Sequence, residues 1–345
     1  MPLYQQAGLT LQRGVAAPED VVRALQLDLR ALGYLRAGID GVLGPGTEQA
    51  VRALQYDLLN NDGQGSDANA PVAMTAYNQT AAGPAVQVVD GVFTQAMADC
   101  LVAVLADPLV PRLPSSDTPA DANAQVMAVL RAQPGTLVPT PFFLAMLQQE
   151  SGGRHYELPL GGDTDSFIVL GQDRNGPPDS ITSRGYGIGQ YTLFHHPPSL
   201  LEVQDFMNDP QRNVLKGQKE LRAKFDGFVL GPADRADDRV AEHPLLPLRI
   251  CRYGITDPRY LNDCRNCALQ APKVSITTGT PFFSGSADSY APTSYYASAN
   301  YTGVPQRAAF ACDWPYAVRR YNGSGVNSYH YQTRVLLNLV SQPAA

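Results

Sequence analysis

The sequence predicts a mainly α chain, and three observations carry that expectation. Apolar residues recur at helical spacing in separate stretches: Val22, Leu25, Leu29 and Leu32; Val51, Leu54 and Leu58; Phe143, Leu144 and Leu147; Val335, Leu336 and Leu339. Residues that start or stop helices bound these stretches, as Gly33 does after the first and Pro141 before the third. Between them lie segments rich in Gly, Pro, Asn and Ser, the composition of irregular loops. The expected architecture is a small helical N-terminal domain and a larger, predominantly helical domain with loop-rich insertions.

Composition limits what the chain can be. Its 345 residues suffice for two domains. A hydrophobic content of 44% beside 17% charged residues describes a globular protein rather than a disordered one. The net charge of −6, with no basic run, argues against nucleic acid as the main partner. No apolar run approaches the roughly 18 residues of a membrane span. The opening MPLYQQAGLTLQRG lacks a charged region followed by an apolar core, so the expectation is synthesis in the cytoplasm without a signal peptide.

In chain order, residues 18–59 read as two short helices around a tight loop. Gly33 ends the first as a left-handed cap, and Asp40-Gly41 signals a turn. Thr47 is the expected cap of the second helix, and Glu48 in its first turn suits the helix dipole. Leu32-Gly33-Tyr34, Asp40-Gly41, Gly44, Thr47, Ala50-Val51 and Gln55 together resemble the three-helix peptidoglycan-binding domain of bacterial and phage wall enzymes. That resemblance implies a wall-binding groove beside the Asp-Gly loop and gives Tyr34 and Asp40 a binding role. The alternatives are that Tyr34 packs in the core and Asp40 only holds the turn. Val89-Asp90-Gly91-Val92-Phe93-Thr94 echoes Ile39-Asp40-Gly41-Val42-Leu43-Gly44, and the helical stretch AMADCLVAVL follows. Either a degenerate second repeat or the domain's delayed last helix accounts for this. The delayed helix is preferred, with residues 60–82 as an inserted loop and the domain spanning 1–106. Residues 107–120, rich in Pro and Ser, are the expected linker, leaving 121–345 as the second domain.

Within that second domain Thr140 is the expected cap of a helix, Pro141 suits its first position, and Glu150 lies one turn beyond Leu147. A carboxyl against an apolar wall has its charged form disfavoured, which raises its pKa towards the range of a general acid. Ser183–Thr192, SRGYGIGQYT, carries glycine at a density that permits close backbone approach. Asp313 is the expected cap of a helix that Tyr321-Asn322-Gly323 then breaks.

Glu150-Ser151, Gly185-Tyr186-Gly187-Ile188-Gly189-Gln190 and Tyr321-Asn322-Gly323-Ser324-Gly325, in this order, resemble the goose-type lysozymes and soluble lytic transglycosylases. The resemblance implies a lysozyme-like domain that cleaves the MurNAc-GlcNAc β-1,4 bond of peptidoglycan. Glu150 would be the general acid, with Ser151, Tyr186, Gly187, Gln190, Tyr321 and Asn322 binding the glycan strand. It implies no cofactor and no metal. The spacing departs from the family's: Gly152–Thr182 forms a remodelled lobe, and a long segment separates Gln190 from Tyr321. A hydrolase that inverts needs a second carboxylate, for which Asp163, Asp165, Asp173 and Asp179 are candidates; a lytic transglycosylase needs none. The Tyr- and Ser-rich run FFSGSADSYAPTSYYASANY is either a sugar-lining surface or an irregular loop.

His195-His196-Pro197-Pro198 does not read as a metal site, since adjacent histidines point apart and no third ligand is spaced to help. Cys251, Cys264, Cys267 and Cys312 gather late in the chain as two disulfides, a zinc site or free thiols, while Cys100 stands alone. The alternative to a muramidase is a non-catalytic wall-binding or phage-structural protein on a lysozyme scaffold. Without a signal peptide, a wall-degrading chain reaches the bacterial cell wall or periplasm by phage lysis or through a secretion system. The second route would call for an immunity protein. A monomer is expected.

Overall fold

The structure, a computed structural model, describes residues 1–36, 38–63, 72–80, 83–132, 138–158, 166–230, 251–269, 312–323 and 326–342. Helices dominate, as the apolar periodicity predicts, and the strands are short. The chain forms two compact units, each built from two separate segments: Met1–Ala124 with His155–Asn213, and Gln125–Arg154 with Val214–Ala345. This division differs from the sequential one expected from composition.

The first unit begins with β1 (Thr10–Leu11), α1 (Glu19–Ala31) and α2 (Pro45–Asn60), then β2 (Phe93–Thr94), which pairs with β1, and α3 (Gln95–Ala106). Val22, Leu25, Leu29, Val51, Leu54, Leu58, Met97, Leu101 and Val104 meet in one core. Each such side chain stabilises the fold by about 2 kcal/mol when fully buried. Gly33 adopts φ 78° directly after α1, and the Tyr34 amide reaches back to the Leu29 carbonyl at 2.9 Å. The left-handed helix end read from sequence is present. At α2 the cap is Gly44 rather than Thr47. Thr47 lies inside the first turn, where its hydroxyl donates to the Val42 carbonyl at 3.1 Å.

The expected linker is folded. Val110 and Leu113 are buried, the Leu113 amide donates to the Ala31 carbonyl at 2.7 Å, and β3 (Ser115–Ser116) pairs with β4 (Ser166–Phe167). Prolines stiffen this stretch, but its apolar side chains have a core to enter. Residues 155–213 complete the unit with a sheet of β5 (Leu170–Asp173), β6 (Ser183–Tyr186) and β7 (Tyr191–Leu193), antiparallel in that order. Polar ties fix this lobe to the helices. Gln172 donates to the Gly33 and Tyr34 carbonyls at 3.0 Å each, and Asp179 takes a two-pronged bond from Arg52 at 2.7 and 2.9 Å. Ile168, Leu170, Tyr186, Leu193, Phe206 and Met207 form a second core beneath the sheet.

The second unit is helical. After α4 (Pro119–Ala132), whose later half belongs here, comes α5 (Thr140–Ser151). The short α6 (Leu200–Glu202) lies in the first unit, and α7 (Pro210–Phe225) runs from that unit into this one. α8 (Cys264–Leu269), α9 (Trp314–Tyr321) and α10 (Val326–Ser341) follow, and α10 packs on α5, α8 and α9. α5 presents Phe142, Phe143, Met146 and Leu147 to the interior, while α9 and α10 bring Trp314, Val318, Tyr331, Val335 and Leu339. Trp314 stacks on Phe225 with ring centroids 4.4 Å apart. Asp313 caps α9 by position, its side chain making no capping bond to the helix, and the cap of α5 is Pro139, with Thr140 already helical. Among the described residues no helix is long and apolar enough to cross a membrane.

Candidate functional site

α5 is almost wholly apolar until its last turn, where Gln148, Gln149, Glu150 and Ser151 end it. Two left-handed glycines stop the helix: Gly152 at φ 65° and Gly153 at φ 71°, whose amides return to Gln148 and Leu147 at 3.1 and 3.2 Å. Ser151, expected to bind substrate, is buried and donates to the Leu147 carbonyl at 3.0 Å, finishing the helix. Glu150 is half-buried, one turn past the fully buried Leu147. Its carboxylate accepts a hydrogen bond from the hydroxyl of Tyr331 on α10, a residue itself 2% exposed. No motif in the sequence marks Tyr331. It sits on the Val335–Leu339 stripe at four-residue spacing, so a phenol at the head of an apolar face was the available signal. Tyr321 ends α9 half-buried and Asn322 is exposed beyond it, while Ser324 and Gly325 lie outside the described residues.

In the first unit the glycine segment is the turn of the β6–β7 hairpin, with Tyr186 opposite Tyr191. The glycines make room for protein rather than ligand. A Cβ on Gly171 or Gly185 would collide with the Gln190 side chain, and one on Gly187, at φ +71°, would strike His155 and Asn213. Gln190 itself is left-handed at φ 47°, a conformation that costs a non-glycine residue energy, and its side chain donates to the Gly187 carbonyl at 2.7 Å. All four turn amides are engaged: Gly187 with Val169 O, Ile188 with His155 Nδ1, Gly189 with Asn213 Oδ1 and Gln190 with Gly187 O. Tyr186 is fully buried in the core, where burial pushes its phenol up to about 12. His155, on the inner side of the turn, pairs its Nε2 with the Met207 carbonyl at 2.9 Å, and burial lowers its pKa to about 4. It is a neutral structural histidine. His195 is likewise committed, to Glu202 at 2.9 Å, and His196 stacks edge-on against Tyr34.

Two Asp-Gly loops organise the helices, and they share the same three glutamine bonds. Gln26 of α1 donates to Asp40 Oδ1 at 2.8 Å and Val42 O at 3.0 Å and accepts from the Gly41 amide at 2.8 Å. Gln55 of α2 makes the same bonds to Asp90, Val92 and Gly91 at 2.8, 3.0 and 2.8 Å. The echo read in sequence is thus a repeated loop, followed in the second case by α3. Partial burial by itself would raise Asp40, yet bonds from Gln26 and the Val42 amide outweigh it and hold the carboxyl below its usual range. Tyr34 is 1% exposed and donates to Asp57 at 2.8 Å, so packing is its main work. It backs an open groove of about 520 Å³ lined by Arg36, Gly46, Gln49, Gln172, Asp173 and Arg174. Amide and guanidinium donors in this arrangement suit sugar hydroxyls, peptide groups and carboxylates.

Residues 18–58 match the family model described as "Putative peptidoglycan binding domain". No curated protein and no solved structure matches the chain. A peptidoglycan-binding domain therefore occupies the region of α1 and α2 and points the protein to the bacterial cell wall, with peptidoglycan as partner. The match ends at residue 58, within the last turn of α2 and before the second Asp-Gly loop.

Proposed function

We propose that the protein is a peptidoglycan-cleaving muramidase that uses Glu150 as its general acid and is held to the wall by its N-terminal domain. The observation that carries this reading is the Glu150 carboxyl itself. It ends an apolar helix, is half-buried, and is oriented by the phenol of Tyr331. Protonation of the oxygen between N-acetylmuramic acid and N-acetylglucosamine by such a carboxyl passes through an oxocarbenium-like transition state. Either water or the sugar's own 6-hydroxyl then completes the reaction, giving a reducing or a 1,6-anhydro end. Tyr331 acts here as a positioning residue. Among the second-carboxylate candidates, Asp179 is spent on Arg52 and Asp173 accepts from Ser183 at 3.1 Å, while Asp163 and Asp165 lie outside the described residues, as does the Tyr- and Ser-rich run. The expectation that Tyr186, Gly187 and Gln190 bind the glycan strand gains nothing from the turn amides of the hairpin, which already have partners. Delivery by phage lysis, as an endolysin, is the preferred route for this activity, with a secretion system carrying an antibacterial effector as the alternative.

The test is clearing of purified sacculi by the wild type and by Glu150→Gln, beside a pelleting assay for wall binding. Clearing by the wild type alone, with both proteins pelleting, supports the proposal. Pelleting without clearing by either protein assigns the chain to non-catalytic wall binding.

A further inference from the structure

Cys251, Cys264 and Cys267 come from one stretch of chain and Cys312 from another, yet all four line one cavity beside Trp314. The cavity measures about 10 Å³, at the lower limit for a single water, so it has no room for a ligand. All four sulfurs are thiols in this structure and belong to the unit that contains α5. Cys264 opens α8 and is buried, while Cys251, Cys267 and Cys312 are half-buried. A polar frame holds them in place. Tyr253 donates to Asp263 at 3.1 Å, the Arg259 guanidinium covers the Tyr253 ring at 4.2 Å, and Arg265 of α8 donates to the Val340 carbonyl of α10 at 2.9 Å. Burial first, and then the neighbouring cysteines, hold the Cys264 thiol well above its ordinary value; burial carries that of Cys312 to about 12. The reduced cluster is therefore a set of sulfurs that share one small cavity.

Such a cluster can bind a metal or pair its sulfurs. Among the described residues no group of three or more His, Cys, Asp or Glu side chains is arranged to hold a metal ion, whereas pairing needs only two sulfurs to approach at a time. We infer that the four cysteines are an oxidation site that closes into two disulfides, with a small dialkyl disulfide such as oxidised glutathione as the oxidant. Cys267 is the entry point, since it is half-buried and hydrogen-bonded by Arg252, whose charge offsets part of the burial that raises its thiol. Its thiolate attacks one sulfur of the oxidant, forming a mixed disulfide and releasing one thiol. A second cluster thiolate then attacks the Cys267 sulfur and displaces the other half of the oxidant. Each bridge thus oxidises two protein thiols and reduces one oxidant molecule to two thiols, which take up the two protons. The remaining pair repeats the cycle. The bridge that takes Cys312 fastens the 251–269 segment to the start of α9, whose Trp314 stacks on Phe225, and the other closes a loop within 251–269.

The experiment incubates the purified full-length chain with reduced or oxidised glutathione, alkylates it under denaturing conditions and reads the intact mass and peptide map. The expected result is five alkylated cysteines after reduction and one, Cys100, after oxidation, with bridged peptides confined to the four clustered residues. The oxidised form should melt about 10 °C higher than the reduced form. Cys251→Ser and Cys267→Ser should each retain a single bridge; if either fails to fold, the wild-type alkylation count still decides. Five alkylated cysteines after oxidation, or bridges that include Cys100, would overturn the inference. So would one equivalent of zinc that co-purifies and leaves only when the thiols are blocked. Because no readout involves peptidoglycan, failure here is distinct from failure of the muramidase proposal.

Discussion

Asp40 and Glu150 are the two carboxyls that sequence reasoning raised for opposite ends of one function, and their surroundings differ in kind. Asp40 is bonded by Gln26, fourteen residues away, and by the Val42 amide, two residues away. It closes a turn, and Asp90 does the same in the second loop. Glu150 is bonded by Tyr331, 181 residues on, across the packing of α5 against α10. A carboxyl held by its own turn is spent on chain geometry. One reached by a distant helix is positioned by the fold at a helix end where α5 stops being apolar.

The largest effect that would sharpen this contrast is on catalysis. Glu150→Gln should lower glycan cleavage by about 1,000-fold or more, the scale of a lost general acid, with stability little changed. Asp40→Asn should leave turnover intact; a comparable loss of turnover there would break the comparison.

Next comes His155, a titratable group on the structural side. Its folded pKa of about 4 lies below the ordinary histidine value of 6.5, so the unfolded chain takes up the proton first. Stability is fully present above pH 6.5 and is lost as pH falls from there towards 4, by about 3 kcal/mol in all. His196, also lowered by burial, adds in the same sense, and Asp57, raised by burial, opposes it. Urea denaturation at pH 7.5 and pH 4.5 of wild type and His155→Gln isolates the group. The variant should lose less stability between the two pH values, and an equal loss would remove His155 from the account.

The two loops offer the third comparison. Gln26→Ala and Gln55→Ala each strand a glycine amide and remove one of an aspartate's two bonds, so each should cost about 2 kcal/mol by chemical denaturation. Equal costs support equivalent roles for the loops, and a neutral Gln55→Ala would show that only the first clasp matters.

The smallest effect is expected for Tyr331→Phe, about a tenfold fall in turnover with sacculus binding unchanged, as one positioning hydrogen bond is lost. If wall binding fell in step with turnover, a general packing role would replace the positioning one.

What could be read in advance follows from how local each signal is. The α1 and α2 stripes, the left-handed Gly33 and the echo at Asp90-Gly91 depend on neighbours in sequence, and all are present. The β5–β7 sheet was not legible, since LGQD, SRGY and YTL are too short and too polar to show alternation. Nor was the folded state of residues 107–120, because Pro and Ser describe a linker until Val110 and Leu113 find a core. The glycine hairpin was legible as a site of close approach, but the approaching groups proved to be Gln190, His155 and Asn213. Tyr331 shows the limit most clearly, since its bond to Glu150 exists only once α5 and α10 are packed.

The most direct test of glycan cleavage is mass spectrometry of what purified sacculi release on incubation with the wild-type chain and with Glu150→Gln. The wild type should release soluble muropeptides ending in reducing or 1,6-anhydro N-acetylmuramic acid, and the variant none. Release of the same products by both proteins, or only of peptides without cut glycan, would contradict cleavage with Glu150 as the general acid.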